Sequence, residues 1–278
     1  PTAKAVEAGM YAERGILVLE EINRVPSDTT SVLYPLLLEK RINGHDIASG
    51  WAIGVTMNPD TMNYLVNSLD DAMLDRFISM EVQANLENYI YYSLKHGPND
   101  DVLSFLQSAP DMLLVTRNSA DSTARSKAPT PRGWTMVQEI LNNCSLDQEL
   151  LSELVSGIVG PEAAASFYGF LQDRSIRIPS AERILSDYSR AQQTVQTVLT
   201  QGRMDIMSYV IKKTAFLFRS EDGQLEHVTA FLHDLSEELQ ILFFKHIAAQ
   251  NPEELEHITS SSNIFEAISD RIIDLEIH

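Results

Sequence analysis

The octet ILVLEEIN at residues 16–23 places four apolar residues directly before two glutamates, with Gly15 in front. A short continuous apolar run of this kind is typical of a strand buried on both faces, as in a parallel sheet. Glu20 and Glu21 would then follow the carboxyl end of the strand, where ligands bind in open α/β sheets. One carboxylate can hold a metal-bound water there while its neighbour polarises an attacking water. The other interpretation is a core strand that ends in a solvated acidic turn.

The composition excludes several classes of protein. The 278 residues suffice for two or three domains, and an apolar fraction of 44% is ordinary for a globular protein. A net charge of −18 repels phosphate backbones, so we expect no nucleic-acid partner. The single cysteine, Cys144, fits a reducing cytoplasm, and no stretch is long and apolar enough for a membrane span. The seven histidines lack metal-ligand spacing, so we expect no metal bound directly by the protein.

Two more strands are predicted near the octet, WAIGVT at residues 51–56 and a third strand at residues 78–82. The segment after the octet predicts a helix with an apolar face, kinked or restarted near Pro35. The residues INGH at 42–45 are typical of a hairpin turn. Strands and helices therefore alternate in this part of the chain.

From Asn85 the apolar residues recur at helical spacing, interrupted by a Ser-, Thr-, Ala- and Pro-rich loop at residues 117–131. We predict an α/β part at residues 1–83, a helical part at 84–190 and a second helical region at 191–278. The apolar stripes of the last region are predicted to be core rather than an exposed groove. The chain should be predominantly helical overall.

Two further polar residues stand where they can act on a phosphate group. Asn58 closes the second predicted strand and can orient a water against a γ-phosphate, although Asn-Pro pairs also simply end strands. Arg76 lies in the segment LDDAMLDRF, at the end of a predicted short helix before a strand, and its guanidinium can neutralise charge on a phosphoryl group across a subunit boundary. The alternative for Arg76 is a local ion pair with Asp71 or Asp75 on a solvated face.

In order and spacing, ILVLEEINR, GVTMNP, LDRF and the later PTPR resemble the AAA+ ATPases of the MoxR-like family, over about the first half of the chain. Glu20 and Glu21 resemble the Walker B pair. Asn58 resembles sensor 1, and Arg76 resembles the arginine finger. Arg132, near the start of the helix that PTPR opens, resembles the sensor 2 arginine; its alternative role is that of a capping or surface residue. The implied fold is an α/β remnant of an AAA+ nucleotide-binding core, followed by an α-helical lid and an all-α C-terminal region.

The resemblance also implies a mechanism with ATP and Mg²⁺ as cofactors. Glu20 would help to hold the water shell of the magnesium ion, and Glu21 would orient or deprotonate the attacking water. Asn58 would place that water against the γ-phosphate. Arg132 would contact phosphate from the lid of the same subunit, and Arg76 would reach the nucleotide of a neighbour.

Because the finger acts on a neighbouring subunit, the resemblance implies a ring, most often a hexamer in this superfamily. Hydrolysis in such a ring would drive chaperone-like remodelling of a protein client. The MoxR-like family is often partnered by proteins with a von Willebrand factor A domain. We therefore expect a cytoplasmic ring ATPase with protein partners and no membrane or nucleic-acid partner.

Two features depart from the family pattern. Glu20 stands where the family usually has an aspartate, and its side chain is one methylene longer. No GxxxxGK[ST] motif for binding phosphate occurs in the chain. We expect the phosphate loop to precede Pro1 in the intact protein, so that the fragment itself is inactive. The alternative is a catalytically silent, AAA+-derived scaffold or adaptor protein.

Overall fold

The structure, a computed structural model, consists mainly of helices with a few short strands. The chain divides into two compact units, one of residues 1–83 with 117–124 and one of residues 84–116 with 125–278. The predicted boundary at residue 190 stays a prediction. The structure describes residues 2, 4–5, 11–24, 27–58, 71–75, 77–115, 127–173, 177–220 and 223–261.

The first unit contains a parallel pair of strands, a helix and a small hairpin. Its elements are β1 (Gly15–Leu19), a 3-10 turn (Ile22–Arg24), α1 (Ser27–Glu39), β2 (Arg41–Ile42), β3 (His45–Asp46), β4 (Trp51–Val55) and α2 (Asp71–Leu74). The strands β1 and β4 pair in parallel, with Gly15 opposite Trp51 and Leu19 opposite Val55. Parallel neighbours bring their carboxyl ends to the same edge of the sheet, so the residues after Leu19 lie beside those after Val55.

The prediction that β1 is buried on both faces is wrong. Its side chains alternate, and Ile16 and Val18 are 68% and 53% exposed. The reason is the period of two along a strand, which sends neighbouring side chains to opposite faces of the sheet. The face that carries Ile16 and Val18 is open, so an unbroken apolar run did not mean burial on both sides.

The hairpin turn predicted at residues 42–45 is confirmed. The short strands β2 and β3 pair antiparallel, and the turn residues Asn43 and Gly44 have φ angles of 48° and 79°. Two consecutive positive φ angles define the turn that matches the twist of hairpin strands, and Asn-Gly is its preferred sequence. The helix α1 continues through Pro35 rather than starting there.

The third strand predicted at residues 78–82 is wrong. This segment has no regular secondary structure, and its alternating apolar residues are strongly exposed: Ile78 by 93%, Met80 by 83% and Val82 by 93%. An alternating pattern favours a strand only if a neighbouring strand supplies hydrogen bonds. Among the described residues no strand pairs with this segment.

The second unit is all helical over its described part. Its helices are α3 (Leu86–His96), α4 (Asp100–Ser108), α5 (Pro131–Asn143), α6 (Gln148–Val159), α7 (Pro161–Gln172), α8 (Ala181–Ser186), α9 (Tyr188–Thr200), α10 (Met204–Leu217), α11 (Leu225–His233), α12 (Glu237–Gln250) and α13 (Pro252–Ser261). The predicted N-cap is confirmed at Asn85, whose side chain accepts a hydrogen bond from the N–H of Asn88. The chain leaves α3 through Gly97 at φ 109°, a left-handed conformation that favours glycine.

Two apolar clusters stabilise this unit. One joins helices α8 to α13, and the other joins α3 to α7. Tyr209 of α10 belongs to the second cluster, and Ile178 packs against both. The C-terminal apolar stripes are core, as predicted: Phe231, Phe243 and Ile247 are fully buried. The two predicted helical regions therefore share apolar contacts.

Several predictions fall on residues outside those that the structure describes. They include Arg76, most of the loop at 117–131 and a helix predicted at 264–275. Within the part of the chain that is described, no helix has both the length and the apolar character needed to cross a membrane.

Candidate functional site

Hydrogen bonds continue beyond the ends of β1 and β4 and hold the two following loops together. The N–H of Thr56 donates to the carbonyl of Leu19 at 3.0 Å, and the N–H of Ile22 donates to the carbonyl of Thr56 at 3.1 Å. These bonds extend the parallel pairing as far as Ile22 and Thr56. The segment with the two glutamates thus lies beside the segment with Asn58.

The main chain of Glu21 is held in an uncommon conformation. Its φ angle is 53°, in the left-handed region, and its N–H donates to the hydroxyl oxygen of Thr56 at 3.0 Å. A left-handed conformation costs a non-glycine residue about 1–2 kcal/mol, so surrounding contacts must hold it. The turn at Glu21 redirects the chain from β1 into the 3-10 turn at Ile22–Arg24.

The carboxylate of Glu21 has an ion-pair partner three residues ahead. Its Oε2 accepts a hydrogen bond from Nη1 of Arg24 at 2.9 Å, and the side chains are 49% and 48% exposed. Exposed ion pairs contribute only about 0–1 kcal/mol, because water solvates both partners well. The carboxylate of Glu21 can therefore exchange Arg24 for another partner at little cost.

The main chain of Asn58 is held by the side chain of Asn23. The Nδ2–H of Asn23 donates to the carbonyl of Asn58 at 2.7 Å, and Oδ1 of Asn23 accepts the N–H of Asn58 at 3.1 Å. The side-chain Nδ2 of Asn58 is buried and has no hydrogen-bond partner among the described residues. An unsatisfied buried donor costs about 1–3 kcal/mol, so such a group needs explanation. A ligand oxygen is one acceptor that would satisfy it.

Glu20 follows the last residue of β1 and is exposed. Carboxylate oxygens are the ligands that Mg²⁺ prefers, and magnesium usually keeps several of its waters in protein sites. In the described part of the chain, no group of three or more His, Cys, Asp or Glu residues could hold a metal. The exposed carboxylate of Glu20 is a group of the kind that could hold Mg²⁺ through its waters.

Arg132 lies in the second unit, in the first turn of α5, and is exposed. The N-cap of this helix is Thr130, whose hydroxyl oxygen accepts the N–H of Gly133 at 3.0 Å, and Pro131 takes the first helical position. Capping, one alternative for Arg132, is therefore done by Thr130. The guanidinium of Arg132 remains at the surface of its unit.

Glu20, Glu21 and Asn58 are thus brought to one edge of the parallel pair, whereas Arg132 belongs to the other unit and Arg76 is outside the described residues. Sequence reasoning missed the roles of Thr56 and Asn23 at this edge. The only signal was their position after two apolar runs, and it becomes informative only when the register of the two strands is known.

Comparisons with protein-family models, with curated proteins and with solved structures found no match to this chain.

Proposed function

We propose that this chain carries the catalytic carboxylates of a MoxR-like AAA+ ATPase that works as an oligomeric ring on a protein client. The observation that carries the proposal is that Glu21 and Asn58 both follow the adjacent carboxyl ends of two parallel strands, where Glu21 is bonded to Thr56 and Asn58 to Asn23. A carboxylate and an amide at neighbouring strand ends are the groups needed to activate and place a water for phosphoryl transfer.

In this proposal each residue has a separate task. Glu21 releases Arg24 and accepts a proton from the attacking water, and its left-handed main chain sets the direction of its side chain. Asn58 donates its unpartnered Nδ2–H to the water or to a γ-phosphate oxygen. Glu20 would hold Mg²⁺ through water molecules, and the ion bound with ATP would supply neutralisation of the charge on the phosphates.

The remaining parts of the proposal concern the assembly. Arg132 would contact phosphate from the helical unit of the same subunit, and Arg76 would act on the nucleotide of a neighbour as an arginine finger. A finger that acts between subunits requires a ring, for which we propose a hexamer in the cytoplasm. A protein with a von Willebrand factor A domain is the proposed partner, and remodelling of a client is the proposed outcome.

A second candidate function is an AAA+-derived scaffold without ATP hydrolysis. It is favoured by one observation, the lack of a GxxxxGK[ST] motif in these 278 residues. The ATPase proposal requires that this phosphate loop be supplied by chain outside them. Experiments on activity are therefore designed for the full-length product of the gene.

The proposal predicts that Glu21→Gln in the full-length protein keeps ATP binding but lowers kcat by about 10²-fold or more, because a general base contributes that much. The measurements are steady-state phosphate release and equilibrium binding of a fluorescent ATP analogue. Glu39→Gln, at the exposed end of α1, is the matched control and should hydrolyse ATP like the wild type.

Wild-type turnover by the Glu21→Gln protein would remove Glu21 from the mechanism. A wild-type protein that binds no ATP and releases no phosphate would favour the scaffold instead.

A further inference from the structure

The side chain of Asn23 satisfies both main-chain groups of Asn58. Its Nδ2–H donates to the carbonyl of Asn58 at 2.7 Å, and its Oδ1 accepts the N–H of Asn58 at 3.1 Å. A neighbouring strand would offer the same donor and acceptor, and among the described residues the last main-chain bond between the two loops is at Thr56. Beyond the point where main-chain pairing stops, the side-chain amide of Asn23 thus makes the two hydrogen bonds that a neighbouring strand would make.

The environment of Asn23 makes this arrangement rigid. Asn23 is only 6% exposed, and its neighbour Ile22 is 3% exposed. Both hydrogen bonds are partly buried, and leaving a donor or acceptor unpaired costs up to about 1–3 kcal/mol when the group is fully buried. The main chain of Asn58 is therefore fixed, while its side-chain Nδ2 keeps no partner among the described residues.

We propose that Asn23 is a positioning residue for the phosphoryl-transfer step: it fixes the main chain of Asn58 so that the side-chain amide of Asn58 points at the reacting water and phosphate. This inference rests on the proposed ATPase function. Asn23 touches neither water nor nucleotide in this role, and it acts only through Asn58.

The chemistry of the side chain explains why asparagine is required at this position. An aspartate here would keep the acceptor for the N–H of Asn58 but would place a carboxylate oxygen against the carbonyl of Asn58, where the donor is now. Leucine has nearly the same shape as asparagine and offers neither group. The substitutions Asn23→Asp and Asn23→Leu therefore remove one and both hydrogen bonds, respectively.

The test uses the full-length protein and measures kcat, KM for ATP, and binding of a fluorescent ATP analogue. We expect Asn23→Leu to lower kcat by about 10²-fold, because displacing a reacting group by about 1 Å has an effect of that size. The Kd of the ATP analogue should change by less than about twofold. Asn23→Asp should show the same split between kcat and binding. Asn88→Leu, exposed on α3 in the second unit, is the matched control and should keep wild-type kcat.

A double-mutant cycle separates positioning from a structural role. Because Asn23 acts only through the side chain of Asn58, adding Asn23→Leu to Asn58→Ala should lower kcat no further than Asn58→Ala alone. The thermal midpoint should still fall in both backgrounds, since the main-chain bonds are lost in each. If Asn23→Leu does not fold, the same cycle is run with Asn23→Asp.

Two results would overturn the inference. One is wild-type kcat in a folded Asn23→Leu or Asn23→Asp protein, and the other is a multiplicative loss of kcat in the double mutant. If either occurs while Glu21→Gln abolishes turnover, the ATPase proposal stands and only the role of Asn23 is lost. If Glu21→Gln and Asn58→Ala both retain full turnover, the assignment of Glu21 and Asn58 to the hydrolytic site fails and this inference fails with it. If the wild type releases no phosphate, the ATPase proposal itself fails.

Discussion

Trp134 shows how one side chain joins several elements of the second unit. Its ring is fully buried, and its Nε1–H donates to the carbonyl of Met112 at 2.7 Å. The ring centroid lies 5.4 Å from that of Phe105 and 5.8 Å from that of Phe167. A tryptophan two residues after Arg132 is therefore core, and it anchors the turn of α5 on which Arg132 stands.

We expect Trp134→Ala to lower the free energy of unfolding of the second unit by about 3–5 kcal/mol, because it leaves a cavity and removes the hydrogen bond to the carbonyl of Met112. Urea denaturation followed by circular dichroism at 222 nm measures the change. The control is Met136→Ala, two residues along the helix, where the native side chain is 46% exposed. Its free energy of unfolding should stay within about 0.5 kcal/mol of that of the wild type. Similar losses for both variants would contradict this account of the core.

The contact of α12 with α3 contains a buried histidine. The ring of His246 is 2% exposed, its Nδ1 is hydrogen-bonded to the hydroxyl of Tyr91, and Nδ1 lies 3.7 Å from Oε1 of Glu87. Burial, together with the charges of Lys212 and Lys245, lowers the pKa of His246 to about 4. Burial, with the charge of Glu87, raises the pKa of the Tyr91 hydroxyl, which therefore stays protonated.

This contact predicts an acid-sensitive second unit. Histidine titrates near pH 6.5 in an unfolded chain, so between pH 6.5 and about 4 the unfolded state binds more protons than the folded state. Stability should therefore fall as the pH falls through this window, by up to about 3 kcal/mol from His246.

Urea denaturation at pH 7.5, 6 and 5 tests this prediction on the wild type and on His246→Leu. The leucine variant should lose most of the pH dependence in this window, since it has no proton to bind. His45→Asn, exposed in the hairpin, serves as the control and should keep the wild-type slope. An unchanged slope in His246→Leu would assign the acid sensitivity to other groups.

The two units are stabilised differently. The second has two apolar clusters that both contact Ile178, whereas the first has a two-stranded parallel sheet with exposed apolar residues on one face. The candidate carboxylates lie in the first unit, and Arg132 lies in the second. The proposed ATPase therefore needs residues from both units, and Arg76 adds a requirement for a second subunit.

The proposed finger makes a prediction for the assembly. Rings of Arg76→Ala subunits should bind ATP but lose about 10³-fold or more in kcat, because the guanidinium no longer neutralises the transferring phosphoryl group. Mixing them with Glu21→Gln subunits should restore some turnover, since a pair of different subunits can combine an intact Glu21 with an intact Arg76. Phosphate release at a series of mixing ratios measures this. Full activity of the all-mutant ring would exclude the finger.

Much of the local structure could be read from the chain because local rules govern it. Asn85 caps α3, Asn43-Gly44 forms the hairpin turn, and the four-residue spacing of Phe243 and Ile247 indicates a buried helix face. Each of these depends on residues within a few positions of one another, so the amino-acid order carries the whole signal.

The structure was needed wherever the outcome depends on distant residues. The exposure of Ile16 and Ile78 contradicts their apolar patterns, because burial depends on which elements cover a strand. The roles of Thr56 and Asn23 likewise follow from the pairing of β1 with β4, which sets residues 35 positions apart side by side. The sequence by itself placed Glu21 and Asn58 after the ends of predicted strands. Only the register of the parallel pair put those two ends side by side, because hydrogen bonds between strands are made across space and not along the chain.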